Sequence, residues 1–330
     1  MTDARHSAAI RARLGDLFPF ESKSLEINGH HLAYVDEGAG PPIVCVHGNP
    51  TWSFYYRRVI SAFRDRYRVI APDHIGCGFS DKPDDRDYPY TLDRRVDDLS
   101  ALLDHLGVRD ATFVLHDWGG MIGMAAALRD PRRVARFVIL NTAAFTLPGV
   151  KPLDWRLKLI RNVPGFGPIA IRGFNAFAGL ATRMACKRAL SREVRRAFVA
   201  PYDSWNNRIA TLRFVQDIPL KPTDPAWACA SAVDRDMTTF TNRPAMILWG
   251  RHDFVFDNDF LAEWRRRWPQ AETHVFEDAG HYALEDAHER ILPLMGAFLE
   301  KTPTALSKAE PSPAPHELSN QSAVSAETRL

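Results

Sequence analysis

The chain has 330 residues, 45% hydrophobic and 25% charged, with a formal net charge of +2, a balance that fits one large α/β domain with an insertion. So small a net charge gives no reason to expect a nucleic acid or an anionic membrane as partner. No run approaches the roughly 18 apolar residues of a membrane span, and residues 1–14, which alternate Ala with Arg, lack the apolar centre of a signal peptide. Cys45, Cys77, Cys186 and Cys229 have neither metal-ligand nor CxxC spacing, and read as reduced thiols of a cytoplasmic protein.

In chain order, 24–28 and 31–36 read as a β-hairpin around Asn28-Gly29. The runs 42–46, 68–71, 111–115 and 136–140 are continuously apolar, as strands buried on both faces are. Helical patterns at 51–63, 92–106 and 120–128 separate them. This alternation implies right-handed crossovers and a mostly parallel central sheet with helices on both faces. The rhythm stops after Thr142. From about 145 to 237 no buried strand is legible, and several helices are expected, punctuated by Pro164, Gly165, Gly167 and Pro168. It resumes with a strand at 245–249, a helix at 258–268, a strand at 274–276 and a last helix at 287–299. The expectation is a split sheet domain, 1–144 and 238–300, around a helical cap at 145–237. Residues 301–330, rich in Pro, Ser, Ala and Glu, are expected to be a disordered tail.

Residues 113–120, Phe-Val-Leu-His-Asp-Trp-Gly-Gly, form an apolar strand, a sharp turn and a glycine-opened helix. A nucleophile elbow has this form, with the reactive side chain on a strained strand-to-helix turn. The usual G-x-S-x-G pattern is altered twice: Asp117 takes the nucleophile position, and Leu115 stands two residues before it. An aspartate that merely N-caps the next helix would look the same, so its partners decide. Hydrolysis of an ester on a carboxylate needs a base, and the base needs an orienting acid. In an elbow-bearing sheet of this kind the chain order is nucleophile, acid, base. His281, in Ala279-Gly280-His281-Tyr282, follows the last strand and takes the base position. Asp253, in Trp249-Gly250-Arg251-His252-Asp253, follows the strand before and takes the acid position. The other place for an acid holds Asn141, which carries no charge.

The segment His47-Gly48-Asn49-Pro50-Thr51-Trp52 follows the third strand. Backbone N–H groups of Asn49 and Trp118 are expected to form an oxyanion hole, with His47 ordering the loop. The Asn49 amide and the Trp118 indole are also uncharged donors, suited to an anion departing from an sp3 carbon. Phe145 and Tyr202 are candidate pocket residues, although Tyr202 could equally pin the cap to the sheet domain. The segment 153–180 is apolar and basic, a pattern common to membrane-surface segments and to caps that admit a greasy substrate.

On 47–52, 116–120, 250–253 and 280–281 the chain resembles the haloalkane dehalogenases, a likeness that extends over about 18–299. The resemblance implies the α/β-hydrolase fold, an alkyl ester on Asp117, and halide departure toward Asn49 and Trp118. Within that group, 67–78, 200–205 and 213–220 are more similar to the β-lactone decarboxylases of bacterial long-chain olefin biosynthesis. This second resemblance implies conversion of cis-3-alkyl-4-alkyl-oxetan-2-ones into cis-alkenes and carbon dioxide. Asp117 would attack either the ring carbon or the carbonyl, and haloalkane dehalogenation stands as the alternative activity. It further implies an apolar substrate with long alkyl chains, and other olefin-biosynthesis enzymes as candidate partners in an assembly. No cofactor or metal is called for: Gly76-Cys77-Gly78 lacks the spacing of a dinucleotide loop, and the histidines are scattered. An epoxide hydrolase would need two acidic donors for the ring oxygen, and only Tyr202 offers one. A ligand receptor on this fold would leave the set Asp117, Asp253 and His281 unexplained.

Overall fold

The structure, a computed structural model, describes residues 4–146 and 153–305. Eight strands form one sheet: β1 (Lys23–Ile27), β2 (His30–Glu37), β3 (Pro42–Val46), β4 (Arg68–Pro72), β5 (Ala111–Asp117), β6 (Val134–Thr142), β7 (Ala245–Gly250) and β8 (Glu272–Phe276). Their order is β1-β2-β4-β3-β5-β6-β7-β8. Strands β3 to β8 are parallel, while β2 is antiparallel to both β1 and β4. The β1–β2 turn puts Asn28 and Gly29 at φ +51° and +81°, as the tight hairpin read from Asn-Gly requires.

The central strands are apolar throughout because each feeds two cores by strict alternation. Val44, Val46, Phe113, Leu115, Phe137, Ile139, Ile247 and Trp249 pack into one cluster. Ile43, Cys45, Val114, Val138, Leu140, Met246 and Leu248 pack into the other. A period of two with both phases apolar is the pattern of a sheet covered on both faces.

The helices are α1 (Ala4–Leu14), α2 (Arg57–Phe63), α3 (Leu92–His105), α4 (Trp118–Arg129), α5 (Trp155–Asn162), α6 (Ala176–Met184), α7 (Arg192–Val199), α8 (Ile209–Gln216), α9 (Trp227–Asp236), α10 (Asn258–Arg267), α11 (Ala283–Asp286) and α12 (His288–Lys301). Helices α3, α4, α9 and α10 contribute to the first cluster, and α1, α2, α11 and α12 to the second. Helices α5 to α9 lie between β6 and β7 in the chain. Of these, α9 packs on α4, so the end of the 145–237 segment covers the sheet rather than the pocket.

Two expectations change. The helix read over 51–63 is shorter. Trp52 is extended, a 3-10 turn spans Ser53–Tyr56, and only Arg57–Phe63 is α-helical. The buried carboxylate of Asp73 takes the Ser53 N–H at 2.7 Å and holds the turn open. Helix α1 has no counterpart in the sequence reading, because arginines interrupt the spacing of Ile10 and Leu14, both buried. Among the described residues no helix is long and apolar enough to cross a membrane. Of the segment 301–330, residues 306–330 lie outside the described residues.

Candidate active site

Strand β5 ends at Asp117, which takes φ +52° and ψ −130° before α4 begins. A non-glycine residue in this region costs about 1–3 kcal/mol, and its surroundings hold it there. The Thr142 hydroxyl donates to the Asp117 carbonyl. Gly119 lets α4 approach β3, since a Cβ there would lie 1.9 Å from the Val46 carbonyl oxygen. Gly48 faces the nucleophile equally closely, with a Cβ placed 2.0 Å from Asp117 Oδ1.

The two carboxylate oxygens of Asp117 have different neighbours. Oδ1 accepts the Asn49 backbone N–H at 2.6 Å and lies beside the Gly48 and Trp118 backbones. Oδ2 lies 3.5 Å from His281 Nε2. His281 Nδ1 donates to Asp253 Oδ2 at 2.7 Å. Asp253 Oδ1 accepts the N–H groups of Val255 and Phe256 at 2.7 and 3.0 Å. The structure thus brings Asp117, His281 and Asp253, all buried, into one line, hydrogen-bonded between His281 and Asp253 and in close charge contact between His281 and Asp117.

Charge follows from this geometry. Burial opposes a charged imidazole at 281, but the Asp253 and Asp117 carboxylates outweigh it and raise its pKa to about 10. Burial likewise opposes charge on Asp117, yet contact with His281 and the Asn49 N–H lowers its pKa below the ordinary carboxylate range. These shifts favour an imidazolium at 281 beside an Asp117 carboxylate in the free site. His47 and His116 are different. Burial drives their pKa values down to about 4 and 3, so both are neutral. His47 Nε2 accepts the His74 N–H at 3.0 Å, leaving Nδ1 to donate to the Gly48 carbonyl at 2.8 Å; it orders the loop.

The Asn49 amide donates to the Thr211 carbonyl on α8 at 3.0 Å. A primary amide has a second N–H, and Asn49 also lines the cavity. The Trp118 indole packs on Phe214, 5.6 Å between centroids, lines the same cavity, and its N–H has no hydrogen-bond partner among the described residues. The cavity has a volume of about 640 Å³ and is lined mainly by apolar side chains, Phe145 among them.

Tyr202 corrects an expectation. It does not line the cavity; it is fully buried, and its hydroxyl donates to the Thr51 carbonyl at 3.3 Å. The Trp52 indole donates to the Phe198 carbonyl at 3.2 Å. With the Asn49–Thr211 bond, the 49–52 loop is tied three times to the helical segment between β6 and β7, and Tyr202 is one of the ties.

Three residues emerge only in three dimensions. The Asp286 carboxylate accepts N–H groups from Gly280 at 2.8 Å and from Lys187 and Arg188 at 2.8 Å each, joining the His281 loop to the cap. His116 Nε2 donates to the His281 carbonyl at 3.0 Å. Asn141, in the place of a possible acid, brackets Gly250 instead, accepting its N–H at 2.7 Å and donating to its carbonyl at 3.1 Å. Among the described residues no group of His, Cys, Asp and Glu is placed to hold a metal ion.

Residues 41–288 match the family model described as alpha/beta hydrolase fold. The chain is 50% identical over 301 residues to the cis-3-alkyl-4-alkyloxetan-2-one decarboxylase of Shewanella oneidensis, covering 91% of this chain and 94% of the relative. It is 32% identical over 279 residues to haloalkane dehalogenase 2 of Mycobacterium tuberculosis, covering 83% of this chain and 93% of the relative. The crystal structure of the haloalkane dehalogenase DatA from Agrobacterium tumefaciens C58 superposes with a TM-score of 0.77 at 25% identity, over 88% of this chain and 99% of that one. An aspartate at the elbow, a matching acid and base, and this similarity over nearly the whole length agree: the chain belongs to the α/β-hydrolase fold family, and within it to the family of the cis-3-alkyl-4-alkyloxetan-2-one decarboxylases.

Proposed function

We propose that this protein is a β-lactone decarboxylase that converts cis-3-alkyl-4-alkyloxetan-2-ones into cis-alkenes and carbon dioxide, with Asp117 as nucleophile. The 50% identity to a relative named for that activity, against 32% to one named haloalkane dehalogenase 2, carries the choice between the two. The large apolar cavity above Asp117 suits two alkyl chains. Each buried methylene is worth about 0.8 kcal/mol, so the chains supply the binding energy and the few polar groups are left for chemistry.

The occupied oxyanion hole bears on which carbon is attacked. Asp117 Oδ1 already takes the Asn49 N–H, so a lactone carbonyl oxygen cannot use that donor without displacing the nucleophile. Attack by Oδ2 at the sp3 ring carbon, C4, needs no such displacement. In that step the Oδ2–C4 bond forms, the C4–O ring bond breaks, and the ring oxygen leaves as a carboxylate toward the Trp118 indole N–H and the second Asn49 N–H. The C2–C3 bond then breaks to release carbon dioxide. Its electron pair becomes the C3–C4 π bond, and the ester C4–O bond returns its electrons to Asp117. Inversion at C4 followed by anti loss of the carboxylate keeps the alkyl groups cis. No water is consumed. The imidazolium of His281 faces the returning negative charge on Oδ2, and Asp253 holds that ring in place.

We also place the protein in the cytoplasm, which its four widely spaced thiols suit, and in an assembly with other enzymes of olefin biosynthesis, which rests on the family resemblance. The function is tested by supplying a cis-dialkyl β-lactone and, separately, bromo- and iodoalkanes. Olefin formation well above the enzyme-free rate, with slow halide release, supports it. Halide release without olefin makes the protein a dehalogenase.

A further inference from the structure

The mouth of the cavity carries an exposed apolar rim beyond what covers its interior. Five large apolar side chains that line the active-site cavity are also well exposed, so they ring its mouth: Trp155, Phe166, Leu180, Met184 and Phe254. Trp155 is 67% exposed and Leu180 48%. Just outside, Ile169 and Phe174 are exposed as well, Phe174 at 79%. Soluble proteins rarely leave so much apolar area together without a binding role. Helix α6 contributes Leu180 and Met184 to this ring, and its other side, with Thr182 and Arg183, borders a second groove of about 290 Å³. Arg192, Arg195 and Arg196 of α7 complete that groove, and no acidic side chain lines it. None of these four arginines forms an ion pair with another described residue, whereas Arg161 and Arg188 nearby pair with Asp224 and Glu289.

The small net charge of the chain conceals this asymmetry. Residues 153–205 hold ten Arg or Lys against three Asp or Glu, a net +7 in a chain of net +2, which leaves −5 elsewhere. A protein partner would need its own acidic patch beside an apolar ridge. A bilayer containing anionic phospholipid presents both at once: phosphates at the depth of the arginines and acyl chains below them. We propose that the cap docks on anionic phospholipid bilayers, with headgroup phosphates in the Arg183–Arg192–Arg195–Arg196 groove and the apolar ring dipped into the acyl region. The cavity mouth then opens into the phase where a water-insoluble dialkyl substrate partitions; that last clause rests on the proposed function.

The test is binding of the full chain to vesicles without substrate, so it stands or falls separately from the proposed reaction. Sedimentation would compare phosphatidylcholine vesicles with and without phosphatidylglycerol, at low and high ionic strength, for the wild type, Arg195→Glu/Arg196→Glu and Trp155→Ser. Trp155 and Arg196 are exposed and Arg195 is half-buried, and thermal unfolding verifies that the variants fold. The expected result is preferential binding to phosphatidylglycerol vesicles that high salt weakens. Removing two arginines should lower affinity at least about twenty-fivefold, at about fivefold for each basic residue near an anionic surface. Trp155→Ser should weaken binding while keeping the lipid preference. Equal binding to both vesicle types, no binding to either, or indifference to the arginine substitutions overturns the proposal. So does capture of a protein partner by this face with no vesicle binding.

Discussion

Asp117 keeps a strained backbone, at φ +52° and ψ −130°. In the proposed reaction Oδ1 stays on the Asn49 N–H while Oδ2, 3.5 Å from His281 Nε2, makes the attack. Two predictions belong to this scale. Trp118→Phe keeps a ring against Phe214 but removes the indole N–H. It is expected to lower kcat about a hundredfold with little change in KM, as loss of one donor to a developing anion typically does; steady-state kinetics would check it. The second concerns pH. With a pKa of about 10 in the folded protein against an ordinary value of 6.5, His281 stabilises the fold fully below 6.5, and that contribution is lost as pH rises through about 10. An imidazolium-dependent rate falls over the same upper limb. Asp253→Asn removes a carboxylate that raises the pKa, so the limb of the kcat profile should move to lower pH. An unmoved limb would take His281 out of the proposed role.

At the scale of elements, the tie between the His281 loop and the cap runs through one carboxylate. Asp286 satisfies three backbone N–H groups from two segments nearly a hundred residues apart in sequence. Asp286→Ala leaves those donors unpartnered, at about 1–3 kcal/mol for a buried one. A loss of about 3 kcal/mol is expected in thermal or denaturant unfolding, with partial recovery in Asp286→Asn. Nothing local in the sequence marks Asp286, because two of its three partners come from Lys187 and Arg188. By contrast Asp117, Asp253 and His281 each sit in a short segment after a strand, where spacing and turn residues are readable together. Tyr202 shows where such reading stops. An aromatic residue in a cap has equal claim to a pocket wall or a tie, and only the Thr51 carbonyl opposite its hydroxyl decides. Helix α1 was illegible because arginines interrupt the apolar pattern around Ile10 and Leu14.

At the scale of the molecule, a sheet buried on both faces was evident from continuously apolar runs, and the break after Thr142 falls where β6 ends and the helices α5 to α9 begin. The distribution of charge was less evident, because a net charge of +2 averages a basic cap with an acidic remainder. The cavity also belongs to the whole, being lined from both the sheet domain and the cap. Its apolar lining predicts that kcat/KM for a homologous series of lactones rises about fourfold per added methylene, the equivalent of about 0.8 kcal/mol, until the chains fill the cavity. A flat series would mean that the chains stay in solvent.

In the proposed reaction Asp117 itself opens the lactone and is regenerated without water. The most direct measurement is a single-turnover reaction of purified protein with a cis-dialkyl β-lactone. Product would be identified by gas chromatography with mass detection, quenched protein by intact mass, and Asp117→Ala run beside the wild type. The expected result is cis-alkene and no hydroxy acid, a transient protein adduct of the lactone's mass on the wild type, and product at only the enzyme-free rate with Asp117→Ala. Undiminished alkene formation by Asp117→Ala, or hydroxy acid as the main product of the wild type, would contradict it.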